Sequence, residues 1–131
     1  MKKIDLNMFH GIEVFDSDRH FDERGYFQKI ISARVSQLFD NLDVFEICIS
    51  NNLEPGIIRG LHFQMPPFEQ AKLVSCIEGA IYDVFVDLRP NSKTFLSWGG
   101  LCLTSKVPKT LFIPAGFAHG YQTLQSNSKI L

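Results

Sequence analysis

Short hydrophobic runs rich in Phe, Val and Ile recur between polar and glycine-containing segments along this chain, a pattern that favours strands over helices. One segment, residues 32–39, instead places Val35, Leu38 and Phe39 on one helical face after a serine that can cap the first turn. The chain is therefore predicted to be mostly β with one short helix. The predicted strands are residues 44–50, 57–64, 72–77, 81–88, 101–104, 110–113 and 121–124.

Turn-forming residues separate nearly all of the predicted strands. Pro-Gly, Pro-Pro, Glu-Gly and Gly-Gly pairs recur at the intervals expected of an antiparallel sandwich or barrel. No linker, repeat or change of composition divides the chain, so residues 1–131 are predicted to form one domain.

The strand predicted at residues 81–88 has two unlike faces. Its even-numbered positions are apolar, whereas Asp83 and Asp87 share the other face with Ile81 and Phe85. A mixed face can line the mouth of a small barrel, where polar groups converge on a ligand, or it can be an outer face in water. For Asp87 we predict the solvated outer face, and for Asp83 both interpretations stay open.

Composition and charge exclude several classes of partner. Hydrophobic residues make up 45% of the chain and charged residues 21%, an ordinary globular ratio. The net charge of -1 gives no broad cationic surface for nucleic acid or for a membrane. Charged residues interrupt every apolar stretch, and we read no export signal. Cys48, Cys76 and Cys102 form neither a disulfide framework nor a zinc knuckle, so we expect a soluble cytoplasmic protein.

The densest group of chemically useful side chains lies between residues 59 and 72. It includes Arg59, His62 and Lys72, and a later turn delivers His119 to the start of a strand. On an ideal strand Arg59 and His62 point to opposite faces, so both reach one site only if Gly60 allows a bulge. Single histidines are usually structural, but two imidazoles, a guanidinium and an ammonium together favour a functional site.

Two groups of residues are spaced like the two cupin motifs: Pro114-x-Gly116-x-x-His119, and the set His62, Glu69 and Gly79. This resemblance implies an all-β, cupin-type jelly-roll barrel or sandwich. Metal-binding cupins usually supply a His-x-His pair, a Glu and a later His, because a transition metal needs several converging ligands. Gln64 stands where the second histidine of that pair would be. We therefore predict no metal site and keep a small metal-binding cupin as an alternative.

Several further motifs follow one another in a fixed order: Phe21-Asp-Glu-Arg-Gly-Tyr-Phe27, Arg59-Gly-Leu-His-Phe-Gln64, Gln70-Ala-Lys-Leu-Val74, Asp83-Val-Phe-Val-Asp-Leu-Arg89, Ser92-x-Thr94-Phe95, Trp98 and Ile113-Pro-x-Gly-Phe-Ala-His-Gly120. Together they resemble the nucleotide-sugar 3,5-epimerase family, of the dTDP-4-dehydrorhamnose 3,5-epimerase type. The resemblance runs from about residue 9 to the end of the chain. Its specificity comes from the order of the motifs.

The resemblance implies a homodimeric enzyme without cofactor that epimerises a nucleotide-linked 4-keto-6-deoxyhexose at C3, C5 or both, in deoxysugar or O-antigen precursor synthesis. His62 would take the ring proton, since the ordinary pKa of an imidazole lies near neutrality, and Lys72 would stabilise the enolate oxygen. We expect these two side chains to share one wall of a β-lined cup. The resemblance also implies that five side chains contact the substrate: Arg24, Phe27, Arg59, Gln64 and His119. The two arginines among them would bind its diphosphate.

The chain also departs from that family's pattern. It ends at Leu131, before the positions of a family tyrosine that delivers a proton and an aspartate that pairs with the base histidine. Asp83 is the candidate to replace that aspartate, as a third catalytic residue. Ile47, Ile49 and Lys29 stand where Gln, Asn and Glu are usual, which points to another nucleotide such as CDP or to another sugar, with dTDP kept as the family default. The alternative function is a relative that binds a nucleotide sugar without turning it over.

Overall fold

The computed structural model describes residues 6–31 and 46–131. The helix predicted over residues 32–39 lies outside the described residues, as does the start of the strand predicted at 44–50. Within these two ranges, no helix is long and apolar enough to cross a membrane. After a 3-10 turn at Leu6–Met8, the described strands are β1 Glu13–Asp16, β2 Arg19–Asp22, β3 Gly25–Gln28, β4 Ser50–Asn52, β5 Ile58–His62, β6 Lys72–Glu78, β7 Ala80–Asp87, β8 Trp98–Thr104, β9 Lys109–Ile113, β10 Phe117–Thr123 and β11 Ser128–Ile130.

Two antiparallel sheets pack face to face around the hydrophobic core. One has the strand order β1-β9-β6-β11-β4 and the other the order β5-β10-β7-β8, while β2 and β3 form a separate hairpin. Phe85 and Leu103 enter the core from the four-stranded sheet, Leu111 and Ile113 enter it from the five-stranded sheet, and all four are almost fully buried. The predicted antiparallel β sandwich of jelly-roll type is confirmed.

The sequence pattern locates β5 to β10, with ends shifted by a few residues, but it does not predict β1, β2, β3 or β11. It also misplaces β4, which begins at Ser50, the residue where the predicted strand ends; residues 46–49 are irregular. Strand β4 is entirely polar, and it is held by pairing of Asn52 with Ser128 and of Ser50 with Ile130 on β11. Because such a strand depends on its partner, its own side chains carry no hydrophobic alternation.

Strand β7 buries its mixed face and leaves its apolar face partly exposed. The prediction that Asp87 lies in water is therefore wrong, and of the two interpretations of Asp83 the interior one is correct. The even-numbered positions retain part of their exposure, whereas the inner face carries four side chains with no exposed surface: Ile81, Asp83, Phe85 and Asp87.

Hydrogen-bond donors from the following loop explain why Asp87 can be buried. Its carboxylate accepts bonds from the backbone N, Nε and Nη2 of Arg89, from Ser92 Oγ at 2.6 Å and from Thr94 Oγ1 at 2.7 Å. Burial alone would raise the pKa of Asp87, but the bonds from Arg89, Ser92 and Thr94 hold that pKa well below its usual range. This carboxylate therefore fastens the loop between β7 and β8.

Candidate active site

A bulge at Gly60 turns Arg59 and His62 toward the same face of β5. His62 pairs with His119 and Arg59 pairs with Tyr121, so three steps along β5 span two steps along β10. Gly60 has a φ of +97°, and a Cβ atom there would lie 2.6 Å from the carbonyl oxygen of His119. Only glycine fits this bulge without strain. The bulge expected at Gly60 is present, and it places Arg59 and His62 on one face of the strand.

His62 and His119 project from the inward face of the four-stranded sheet. Phe117, His119 and Tyr121 alternate along β10, and the first and last of them belong to the core. His62 lies on the same face, because directly paired residues of antiparallel strands share a side. The His119 side chain is 11% exposed, whereas His62 is exposed, so His62 lies at the rim and His119 lies deeper.

Asp83 contacts His119 instead of His62. Its Oδ2 lies 2.8 Å from Nε2 of His119, so the expectation that Asp83 pairs with the base histidine is wrong. Burial raises the pKa of Asp83, and the hydrogen bond with His119 opposes that rise. Among the described side chains, Oδ1 of Asp83 is a buried oxygen without a hydrogen-bond partner. Because Nε2 of His119 is occupied, Nδ1 is the ring nitrogen left for a ligand.

Lys72 faces these groups from the other sheet. It begins β6 on the same face as the core residue Val74 and pairs with Ile113. From Ile113 the chain passes through a short turn into β10, so Lys72 lies at the same end of the sandwich as His119. The expectation that His62 and Lys72 share a wall is wrong, because they lie on opposing sheets. Packed sheets are about 10 Å apart, so side chains from the two walls can contact one ligand bound between them. Burial lowers the pKa of Lys72.

Arg59 is held by Asn52, which in turn contacts Tyr121, and sequence reasoning missed both of these residues. Its Nε donates a hydrogen bond to Oδ1 of the buried Asn52 at 2.7 Å, and Nδ2 of Asn52 lies 3.3 Å from the hydroxyl of Tyr121. The period of two along β10 could have identified Tyr121, because it lies two residues after His119. The polar sequence of β4 contains no signal that singles out Asn52.

Among the described residues, no hydrogen bond or ion pair joins Gln64, Arg24 or Phe27 to these groups. Gln64 follows the end of β5 and is exposed. Arg24 and Phe27 belong to the β2–β3 hairpin, where Arg24 pairs with Asp22 and has a side chain that is 84% exposed. Within the described part of the chain, no contact brings Arg24 or Phe27 to His62. Their predicted contacts with substrate therefore stay predictions.

This end of the sandwich can support acid–base chemistry on an anionic substrate. A base on one wall and an ammonium on the other can take a proton from an activated carbon and stabilise the resulting anion. The guanidinium of Arg59 can hold phosphate oxygens. No three His, Cys, Asp or Glu side chains of residues 6–31 and 46–131 are grouped so that they could bind a metal ion.

The family model and the related sequences that match this chain carry the same description. The family model described as dTDP-4-dehydrorhamnose 3,5-epimerase matches residues 7–131. The protein of that name from Shigella flexneri is 34% identical over 128 residues, which cover 90% of this chain and 66% of the relative. The one from Escherichia coli K12 is 39% identical over 115 residues, which cover 85% of this chain and 58% of the relative. The chain thus spans less than two thirds of the length of either relative.

Solved structures resemble almost the whole chain. The dTDP-4-dehydrorhamnose 3,5-epimerase from Bacillus anthracis, solved with TDP and PPi bound, has 37% sequence identity and a TM-score of 0.82, covering 98% of this chain and 74% of its own. An epimerase from Legionella pneumophila in complex with dTDP-4-keto-L-rhamnose has 32% identity and a TM-score of 0.82, covering 98% and 66%. The similarity therefore includes both packed sheets and the end of the sandwich that holds His62 and His119.

Proposed function

The chain belongs to the dTDP-4-dehydrorhamnose 3,5-epimerase family, and from this premise we propose that it epimerises a nucleotide-linked 4-keto-6-deoxyhexose without a cofactor. The observation that carries the proposal is the pairing of His62 with His119 across β5 and β10, opposite the ammonium of Lys72. A hexose ring between the two sheets would have a base on one side and a cation on the other. Arg59, on the same face as His62, would hold the diphosphate.

The reaction follows from the acidity of carbons next to a ketone. A keto group at C4 acidifies the hydrogens on C3 and C5, so an imidazole nitrogen of His62 can take one of these protons. The electron pair of the broken C–H bond moves into an enolate, whose C4 oxygen accepts a hydrogen bond from Lys72. Water delivers a proton to the opposite face of the same carbon, which inverts it, and the protonated His62 releases its proton to solvent. Because the enolate oxygen carries more negative charge than the ketone, Lys72 stabilises the transition state more than the substrate.

Two isoleucines just before β4 keep the identity of the nucleotide open between dTDP and CDP. Ile47 and Ile49, just before β4, are 64% and 63% exposed and supply no hydrogen-bonding side chain for a base edge. A base edge that loses a partner in a binding site costs about 1–3 kcal/mol, which is enough to change the preferred base. We therefore propose that both nucleotide sugars be tested as substrates.

Solvent exchange tests the proposed reaction. The protein is incubated in deuterated water with dTDP-4-keto-6-deoxyglucose and with its CDP analogue, and the C3 and C5 protons are followed by NMR. We expect deuterium at C3, C5 or both with at least one substrate. The matched control is His10→Ala, since His10 is an exposed histidine outside the strands that carry His62 and His119. Absence of label at both carbons with both substrates would favour the relative that binds without turnover.

Lys72 predicts a particular shape of the pH profile. The lysine stabilises the enolate only when protonated, and its pKa is lowered from the ordinary value of about 10.4. Activity is therefore expected to fall as the pH rises through that lowered pKa. In Lys72→Arg, whose guanidinium stays protonated, we expect the alkaline decline to disappear even if kcat is reduced. The profile is measured as kcat against pH, with the exposed Lys106→Arg as control; an unchanged decline in Lys72→Arg would exclude the ammonium.

We propose that a homodimer is the working unit. All five residues of β5 are exposed, and β5 is an edge strand of its sheet. The β2–β3 hairpin is fastened at the opposite edge, where Arg19 donates to the carbonyl of Ser105 just after β8. Among the described residues, no hydrogen bond or ion pair joins Arg24 or Phe27 on that hairpin to His62 of the same chain. A second copy could bring them to it and could cover the exposed edge.

Mixing two inactive variants tests this arrangement. In a mixed dimer of Arg24→Ala and His62→Ala, one of the two sites would have both residues intact if Arg24 acts across the interface. After random exchange at equal concentrations, we expect about a quarter of the wild-type rate, because half of the dimers are mixed and half of their sites are intact. Epimerisation is measured after dissociation and reassembly. A rate no higher than that of either variant alone would show that Arg24 does not complete the partner's site.

We further propose that the protein acts in the cytoplasm. Cys48 and Cys102 are exposed free thiols, and Cys76 is a buried one. Unpaired, exposed cysteines are typical of reducing compartments, in which disulfides rarely persist.

A further inference from the structure

Asn52 connects the two sheets directly behind the candidate phosphate-binding arginine. It ends β4 on the five-stranded sheet and is 1% exposed. Its Oδ1 accepts a hydrogen bond from Nε of Arg59, which belongs to β5 on the four-stranded sheet. A buried side-chain amide thus holds an arginine whose own side chain extends to the surface.

The neighbours of Asn52 fix the direction of its amide. Nδ2 lies 3.2 Å from the carbonyl oxygen of Ser128 and 3.3 Å from the hydroxyl of Tyr121. That hydroxyl donates its own proton to Oγ of Ser50 at 2.7 Å, so its oxygen is free to accept from Asn52. A reversed amide would place an oxygen against the Ser128 carbonyl oxygen. Oδ1 is therefore directed at Arg59, where it can only accept a hydrogen bond.

The charge of Arg59 is not neutralised by this contact. Among the described residues, no carboxylate forms an ion pair with Arg59, and Nη1 and Nη2 have no hydrogen-bond partner. A carboxylate in the place of Asn52 would orient the guanidinium equally well but would cancel its charge. A neutral amide orients the guanidinium and leaves its two terminal nitrogens for a bidentate anion.

We propose that Asn52 is a positioning residue that holds Arg59 ready for the diphosphate of the nucleotide sugar. The inference rests on the proposed function, in which Arg59 binds that diphosphate. Asn52 does not touch the substrate. By holding Nε in the free protein, it reduces the side-chain freedom that Arg59 loses when the ligand binds.

Nucleotide binding and turnover separate this role from a structural one. Dissociation constants for TDP and for CDP are measured by calorimetry, and kcat is measured with the better 4-keto substrate. In Asn52→Ala we expect the dissociation constant and KM to rise about three- to tenfold, with kcat within about twofold of the wild type. Asn51→Ala is the matched control, because Asn51 is the exposed neighbour on the same strand. Urea unfolding of each variant verifies that it is folded.

Two further variants make the test independent of folding losses. Asn52→Asp keeps the size of the side chain and its acceptor oxygen but adds a negative charge, so we expect it to bind TDP more weakly than Asn52→Ala. A purely structural role predicts the opposite order, because Asn52→Asp is the isosteric change. In an Arg59→Ala background, Asn52→Ala is expected to have no further effect on binding.

Each result decides between the alternatives. Three outcomes would overturn the positioning role. In the first, Asn52→Ala weakens nucleotide binding equally in the wild-type and Arg59→Ala backgrounds. In the others, Asn52→Ala binds nucleotide as tightly as Asn51→Ala, or the wild type binds neither nucleotide. If the binding results are as expected and the wild type shows no turnover, the positioning role holds and the proposed epimerisation fails.

Discussion

His62→Ala is expected to lower kcat for epimerisation by about 100-fold to 10,000-fold, the usual contribution of a positioned general base. The imidazole projects from the inward face of β5 at the rim of the sandwich, beside its register partner His119 on β10. Without it, no other described group on β5 can accept the ring proton. We measure kcat together with the rate at which solvent deuterium enters C3 and C5. Both rates should fall in parallel, because both require the C–H bond to break.

Nucleotide binding provides the control for this variant. His62 is not placed at the diphosphate, so TDP should bind to His62→Ala within about threefold of the wild-type affinity. The informative comparison is His119→Ala, which removes the imidazole held by Asp83. If His119→Ala abolished exchange while His62→Ala retained it, the base would be the His119–Asp83 pair, and the assignment of His62 would be wrong.

The parts of the fold that sequence predicted are those whose information is local. Strands β5 to β10 are short runs rich in strand-forming hydrophobic residues that end at turn residues, so their existence follows from local sequence. The bulge at Gly60 was predictable for the same reason, since Arg59 and His62 can share a face only if one residue is added to the strand. The antiparallel sandwich then follows from burying these faces against one another.

The parts that sequence did not predict depend on partners far along the chain. Asp87 is buried because Arg89, Ser92 and Thr94 satisfy its oxygens, and a hydrophobic pattern cannot show such donors. Strand β4 exists because it pairs with β11, and the importance of Asn52 appears only when β5 lies beside it. Likewise, strand order decides that Lys72 faces His62 from the other sheet, and strand order is not a local property.

Gly60→Ala is expected to lose both nucleotide binding and turnover, with an effect at least as large as that of Arg59→Ala. An alanine at a φ of +97° costs about 1–2 kcal/mol in backbone strain alone. Its Cβ would also lie 2.6 Å from the carbonyl oxygen of His119, a backbone atom that cannot rotate away. The chain can relieve this contact only by separating β5 from β10 or by removing the bulge. Removal of the bulge shifts the register by one residue, which turns Arg59 or His62 to the outer face.

Gly56→Ala is the control that separates the effect of backbone strain from the effect of a steric clash. Gly56 has a similar φ of +82°, but nothing lies within 4 Å of the Cβ it would gain, so Gly56→Ala carries the strain without the clash. Urea unfolding should show a loss of stability in both variants, larger in Gly60→Ala, while TDP affinity and kcat should fall only in Gly60→Ala. Equal activity in the two variants would mean that Arg59 and His62 do not need the bulge to act on one substrate. A loss of activity in Gly60→Ala that is larger than its loss of stability explains would instead show that activity depends on the register of β5 against β10. Gly60 turns both Arg59, the proposed diphosphate ligand, and His62, the proposed base, to one face.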